Sequence, residues 1–118
     1  MLYDKLFTAN NLVGQSTADG IVLPYVDERG THIYHQYVIR APRRDALREF
    51  LNSHKIGSEI YYPLPLHLQE SLKFLGYKQG DFPVAERAAT EVLALPIYPD
   101  LRDDEVETVV EAIRRFYK

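Results

Sequence analysis

The stretch HIYHQYVIRAPRRDALREFLNSHK, residues 32–55, changes its period halfway. Up to Ala41 it is rich in β-branched and aromatic side chains and reads as a strand. From Pro42 onward Leu47, Phe50, Leu51 and His54 recur at helical spacing on one face, with proline at a first-turn position where a missing N–H costs little. That helix is expected to bury one side and to solvate Arg44, Arg48 and Glu49.

Upstream, GIVLPYV (20–26) has strand character, and Asp27-Glu28-Arg29-Gly30 is a turn-forming tetrad between it and the strand beginning at His32. An antiparallel hairpin is therefore expected, with Pro24 placing its first strand at an edge or a bulge. Further back, TANNLVGQSTADG (8–20) reads as a loop, and Leu2 to Phe7 as a weak, uncapped helix that is expected to be the tail of something longer.

Downstream, Ile56-Gly57 closes the helix and SEIYY (58–62) is a short strand candidate. Two helical segments, Pro65 to Leu75 and Phe82 to Leu93, flank the turn GYKQGD, and VLALPIYP (92–99) supplies a further short strand in which Pro96 and Pro99 prevent a helix. In DDEVETVVEAIRRFYK (103–118) Val106, Val109, Val110, Ile113 and Phe116 fall on one helical face, with acids at the start and bases at the end. The order predicts an α+β domain: a small antiparallel or mixed sheet of three to four strands with helices packed on one face.

A chain of 118 residues, 46% hydrophobic and 26% charged, suffices for one compact domain spanning 1–118. The net charge of -3 gives no basic footprint, so neither nucleic acid nor an anionic membrane is an expected partner. There is no cysteine, hence no disulfide or thiolate zinc site, and the N-terminus has neither a signal-peptide pattern nor a run long enough to span a bilayer. A soluble, cytoplasmic protein is the expectation.

Few residues stand out for chemistry. His32 and His35 would lie on opposite faces of a strand, which argues against a metal pair. His54 suits the carbonyls at a helix C-terminus, and Asp103 and Asp104 suit an N-cap and first-turn charges better than an acid pair. Arg43, Arg44 and Arg48 could meet a phosphate, but solvation of a helix face is the simpler reading. No phosphate loop, nucleophile elbow or zincin helix occurs. In YYPLPLHLQ (61–69), Pro63 and Pro65 stiffen the chain while Tyr62, His67 and Gln69 supply polar tips, and on these grounds a joint and a ligand site are equally open.

Three spaced motifs carry a resemblance. The Tyr-Pro-x-Pro-Leu-His segment at Tyr62 to His67, Phe-Pro-x-Ala-Glu at Phe82 to Glu86 and Leu-Pro-x-x-Pro-x-Leu at Leu95 to Leu101 resemble the C-terminal part of the DegT/DnrJ/EryC1/StrS family of pyridoxal-phosphate-dependent sugar aminotransferases. HIYHQYVIR is similar to the family's strand after the interdomain helix, and LYDKLF, within residues 1–8, to the end of that helix.

The resemblance implies the C-terminal small domain of a fold-type I aminotransferase whose members, roughly three times this length, exceed a single domain. It implies amino transfer, usually from glutamate, to a keto sugar on a nucleotide, in polysaccharide or antibiotic sugar biosynthesis. It also implies PLP in the full-length parent, a homodimer there, and a large PLP-binding domain upstream that holds the Schiff-base lysine. The chain alone is then expected to bind no PLP and to be inactive, while forming one wall of the substrate cleft. Substrate contact is implied for His67, Tyr62 and Tyr61, and more weakly for Tyr34 and His35. Many relatives have histidine where Tyr61 stands, and a phenol titrates far higher than an imidazole. The alternatives are a stand-alone ligand- or protein-binding regulatory module of the same fold, and a structural interaction domain without a ligand.

Overall fold

The computed structural model describes residues 1–118. Helix α1 (Leu2–Ala9) precedes strand β1 (Tyr37–Arg40), helix α2 (Arg44–Ser53), 3-10 turns at Leu66–Leu68 and Glu70–Leu75, helix α3 (Pro83–Glu91), strand β2 (Val92–Leu95) and helix α4 (Asp103–Phe116). No helix is long and apolar enough to cross a membrane.

Helix α4 forms as its pattern requires. Val106, Val109, Val110 and Ile113 are buried, Asp103, Asp104 and Glu105 fill the first turn, and Arg114 and Arg115 the last. The Glu105 carboxylate accepts the Arg102 N–H at 2.9 Å, satisfying an amide that precedes the helix. Arg102, not an aspartate, is the N-cap. At the other end the Tyr117 hydroxyl donates to the Pro42 carbonyl at 2.6 Å, tying the end of α4 to the chain just ahead of α2.

The sheet is smaller than expected. β1 and β2 pair antiparallel with Tyr37 opposite Leu95 and Arg40 opposite Val92. Residues from both other expected strands lie at its flanks, but each contributes one bridge, Val22 to Arg40 on one side and Glu59 to Ala94 on the other. The hairpin does not form. Asp27 to Gly30 does turn, with the Gly30 N–H bonded to the Asp27 carbonyl at 3.1 Å, but residues 23–36 carry no strand. A hairpin needs a face to bury, and here Tyr25 and Ile33 are over four-fifths exposed while Pro24 lacks the ladder donor.

Two helix boundaries also differ from expectation. Pro42 lies outside α2, whose N-cap is Arg43 in the left-handed region with φ 48°, its guanidinium 4.7 Å above the Phe116 ring. At the other end the left-handed residue is Lys55 (φ 59°), not a glycine. The Ile56 N–H bonds the Leu51 carbonyl and the Lys55 N–H that of Asn52, both at 3.0 Å, which is a Schellman closure two residues ahead of Gly57. A side chain at that position carries a steric penalty that glycine does not, so Lys55→Gly is expected to raise stability by about 0.5–1 kcal/mol in denaturant melts. A fall would show that the Lys55 side chain contributes more than its backbone strain. His54 behaves as anticipated, its Nδ1 lying 2.8 Å from the Phe50 carbonyl.

The segment Pro65 to Leu75 is two 3-10 turns, not one α-helix, because it has no buried face: apart from His67 every residue in it is at least partly exposed. The loop between α1 and β1 is, by contrast, tightly closed. The Gly14 N–H bonds the Ile21 carbonyl at 2.9 Å, and the Ile21 N–H the Leu12 carbonyl at 2.8 Å. A Cβ on Gly14 would fall 2.6 Å from the Gly20 nitrogen, so only glycine fits that crossing.

The core lies between α1, the sheet, α2 and α4: Tyr3, Phe7, Tyr37, Ile39, Leu47, Leu51, Leu93, Val110 and Ile113 are all but inaccessible. The two buried phenols keep their polar ends satisfied. Tyr3 donates to the Pro96 carbonyl at 2.9 Å and Tyr37 to the Asp4 carboxylate at 2.6 Å, while their rings stack 4.7 Å apart.

Candidate functional site

From Tyr61 to Phe82 the chain leaves the core as an arm. Between Leu51 and Ala89 the single buried residue is His67. Around it the arm exposes Tyr62, Leu66 and Phe74, the last at 80%. Such a run of apolar residues in water calls for a covering partner.

His67 is turned inward. Its ring lies 4.8 Å from that of Phe82, which meets Tyr77 edge-on, and its Nε2 is 3.5 Å from the Glu86 carboxylate. That nitrogen is enclosed and makes no hydrogen bond. Glu86, on the first turn of α3, also accepts the Gly80 N–H at 2.7 Å and the Phe82 N–H at 3.1 Å. The two motifs seen in the sequence, Tyr62 to His67 and Phe82 to Glu86, thus meet in space. The chain bends at Pro63 and Leu64, Pro65 is extended just ahead of the Leu66–Leu68 turn, and Pro83 opens α3 where its N–H is not needed.

The other candidate residues stand apart from this cluster. Tyr62 is 72% exposed and meets the Tyr61 ring edge-on. Tyr34, half-buried with φ 50°, receives no strand pairing; its N–H bonds the His32 ring and its own ring stacks on it at 4.1 Å. His35 is exposed. No hydrogen bond or ring contact joins Tyr34 or His35 to Tyr61, Tyr62 or His67. Tyr61 instead lines an open groove of about 640 Å³, whose floor is the end of β2 with Pro96 to Tyr98 and whose wall is α4.

The ionisable groups shifted furthest are structural. Burial pushes the Tyr37 phenol well above the ordinary range, helped by the Asp4 carboxylate, and burial likewise raises Tyr3 and Tyr117. Phenols held protonated this firmly cannot shuttle protons near neutrality. No group of three His, Asp or Glu side chains is arranged to hold a metal. The five lysines are all exposed, and none sits in an enclosed pocket of the kind a covalent pyridoxal phosphate needs. The residues present do not fit that cofactor.

Two contacts escaped the sequence reading. Arg44 is not solvated but buried, its guanidinium donating to the Val92 carbonyl at 2.7 Å and the Ala89 carbonyl at 2.9 Å. Glu86 was visible only as part of a motif, although an acid in the first turn of a helix that opens on proline can bond back to the amides ahead of it.

Comparison with known proteins gives a consistent set. The model of the DegT/DnrJ/EryC1/StrS aminotransferase family matches residues 11–114. A pleiotropic regulatory protein of Geobacillus stearothermophilus is 45% identical over 111 residues, which are 94% of this chain and 30% of that protein. The dTDP-3-amino-3,4,6-trideoxy-alpha-D-glucose transaminase of Micromonospora megalomicea is 36% identical over 106 residues, 89% of this chain and 28% of its own length. Among solved structures, S. venezuelae DesV in complex with a ketimine intermediate superposes with a TM-score of 0.85 at 31% identity, over 99% of this chain and 30% of that one. The chain therefore spans about 30% of the length of the relatives it matches.

Proposed function

The chain belongs to the DegT/DnrJ/EryC1/StrS aminotransferase family, and from that premise we propose that it acts as the C-terminal small domain of a PLP-dependent nucleotide-sugar aminotransferase, with α1 as the end of an interdomain helix. The observation that carries this is the superposition of 99% of the chain on 30% of DesV, a structure in complex with a ketimine intermediate. In the whole protein, a homodimer on this reading, the cofactor and its lysine belong to the large domain, in keeping with the exposed lysines here. The keto sugar carried on a nucleotide is the substrate, with glutamate as amino donor. The small domain supplies a wall of the cleft, because ligand sites favour domain interfaces and a long exposed apolar arm suits a surface that another domain covers. Tyr61 and Tyr62 at the base of the arm and His35 on the long loop are the exposed side chains proposed to reach a sugar or nucleotide, with Tyr34, half-buried on the same loop, and His67, enclosed in the arm, as further contacts.

The expected result is that the 118-residue chain, mixed with PLP, glutamate and a keto sugar on dTDP or UDP, yields no amino sugar, whereas the same chain fused behind the catalytic part of a relative does. Turnover by the isolated chain would overturn the assignment.

A further inference from the structure

The arm is held by very little. No hydrogen bond joins residues 61–82 to any residue outside the arm other than Glu86; the remaining bonds, such as the Leu68 N–H to the Pro65 carbonyl and the Lys78 N–H to the Asp81 carboxylate, stay within it. The one side chain the arm buries, His67, faces Glu86 as well. Beyond the Glu86 N–H to the Phe82 carbonyl at 3.0 Å, which starts the helix, the Glu86 carboxylate is thus the one side chain that bonds the arm to α3, and α3 runs without a loop into β2.

We infer that Glu86 is the positioning residue of the arm beyond its start, which Glu59 already ties to β2: by accepting the Gly80 and Phe82 amides and backing His67, it fixes where the His67 turn and the Gly80 to Phe82 end stand relative to α3. Charge-assisted bonds to backbone amides are short and strong, so one ionised carboxylate can set a loop that its own contacts leave free. Phe82 is the lever, since its N–H is held by Glu86 and its ring packs on His67, making the His67 turn depend on the end of the arm. The role of the arm as a cleft wall rests on the function proposed above, but the tether itself does not, and its test needs no ligand.

The test is amide exchange and histidine ring resonances of the 118-residue chain by NMR. In Glu86→Ala the Gly80 and Phe82 amides are expected to exchange at least tenfold faster, and the Phe82 ring-current shift of the His67 ring protons to collapse, while Val110 and Ile113 in α4 keep their protection. Glu86→Gln retains one acceptor oxygen and is expected to rescue one of the two amides and part of the His67 shift. If Glu86→Ala does not fold, the glutamine variant decides. Unchanged amides and His67 resonances in either variant would overturn the inference, as would an equal rise in exchange throughout α4, which would mark a general loss of stability. A tether confirmed in a chain whose fusion behind the catalytic part of a relative yields no amino sugar would leave the inference standing and count against the cleft.

Discussion

Arg44→Ala is expected to lower the unfolding free energy by about 2–4 kcal/mol, because it strips a buried charged donor from two main-chain acceptors. Arg44 is 7% exposed, and its guanidinium reaches the carbonyls of Ala89 and Val92 at 2.9 and 2.7 Å. Ala89 lies in the last turn of α3, where carbonyls have no helical partner, and the chain passes from Glu91 into β2 with no intervening residue to supply a cap. Arg44 is that cap, delivered from α2. Its ion pair with Asp45 adds little, since that carboxylate is 82% exposed. Lysine offers one point charge in place of a fork, so Arg44→Lys is expected to recover less than half of the loss. Thermal melts should show a fall of roughly 10 °C for the alanine variant in a domain of this size. A loss below 1 kcal/mol would mean that water takes over both carbonyls.

The contrast between Arg44 and α4 shows what periodicity can and cannot deliver. In α4 the apolar face, the acidic first turn and the basic last turn all act within one helix, so spacing alone locates them. Arg44 sits one residue past the N-cap of α2, on what spacing makes a solvated face, and is buried because the α3–β2 junction lies over it. A contact across 45 residues leaves no mark in local pattern. The hairpin failed for the converse reason: its residues have strand propensity, but propensity forms strands only where a face is buried, and Ile33 at 84% exposure has none.

At the candidate site the sequence supplied residue types and the motifs that contain them, but not direction. His67 was legible as a polar residue in a proline-stiffened joint, and its resemblance to the family pointed to a ligand. In the structure the ring faces Phe82 and Glu86, residues 15 or more positions away. Lys55 was missed because glycine is the usual signal for helix closure and Gly57 lay close enough to take the role.

Phe7→Ala carries the other large expected effect, about 3–5 kcal/mol from the lost transfer energy and the cavity left behind. The ring is wholly inaccessible and belongs to the same core as Val110 and Ile113 of α4, on which α1 packs. Helix α1 has eight residues and no side-chain cap, too short to persist unaided, so its stability is borrowed from that packing. Losing Phe7 therefore releases more than one side chain. Tyr3 stacks on Phe7 at 6.1 Å and on Tyr37 at 4.7 Å, and the Tyr3 and Tyr37 hydroxyls bond Pro96 and Asp4 across the same junction. Detachment of α1 would carry Tyr3 into water and leave the Tyr37 hydroxyl without its Asp4 acceptor. Hydrogen exchange of the variant should then show α1 amides near the unfolded rate, with Tyr37→Phe costing only about 1 kcal/mol by comparison, since Asp4 can return to water. Phe7→Leu keeps most of the volume and is expected to cost no more than about 1.5 kcal/mol. An alanine variant that loses stability yet keeps α1 protected would show that the phenol pair, and not Phe7, fastens this helix to the core.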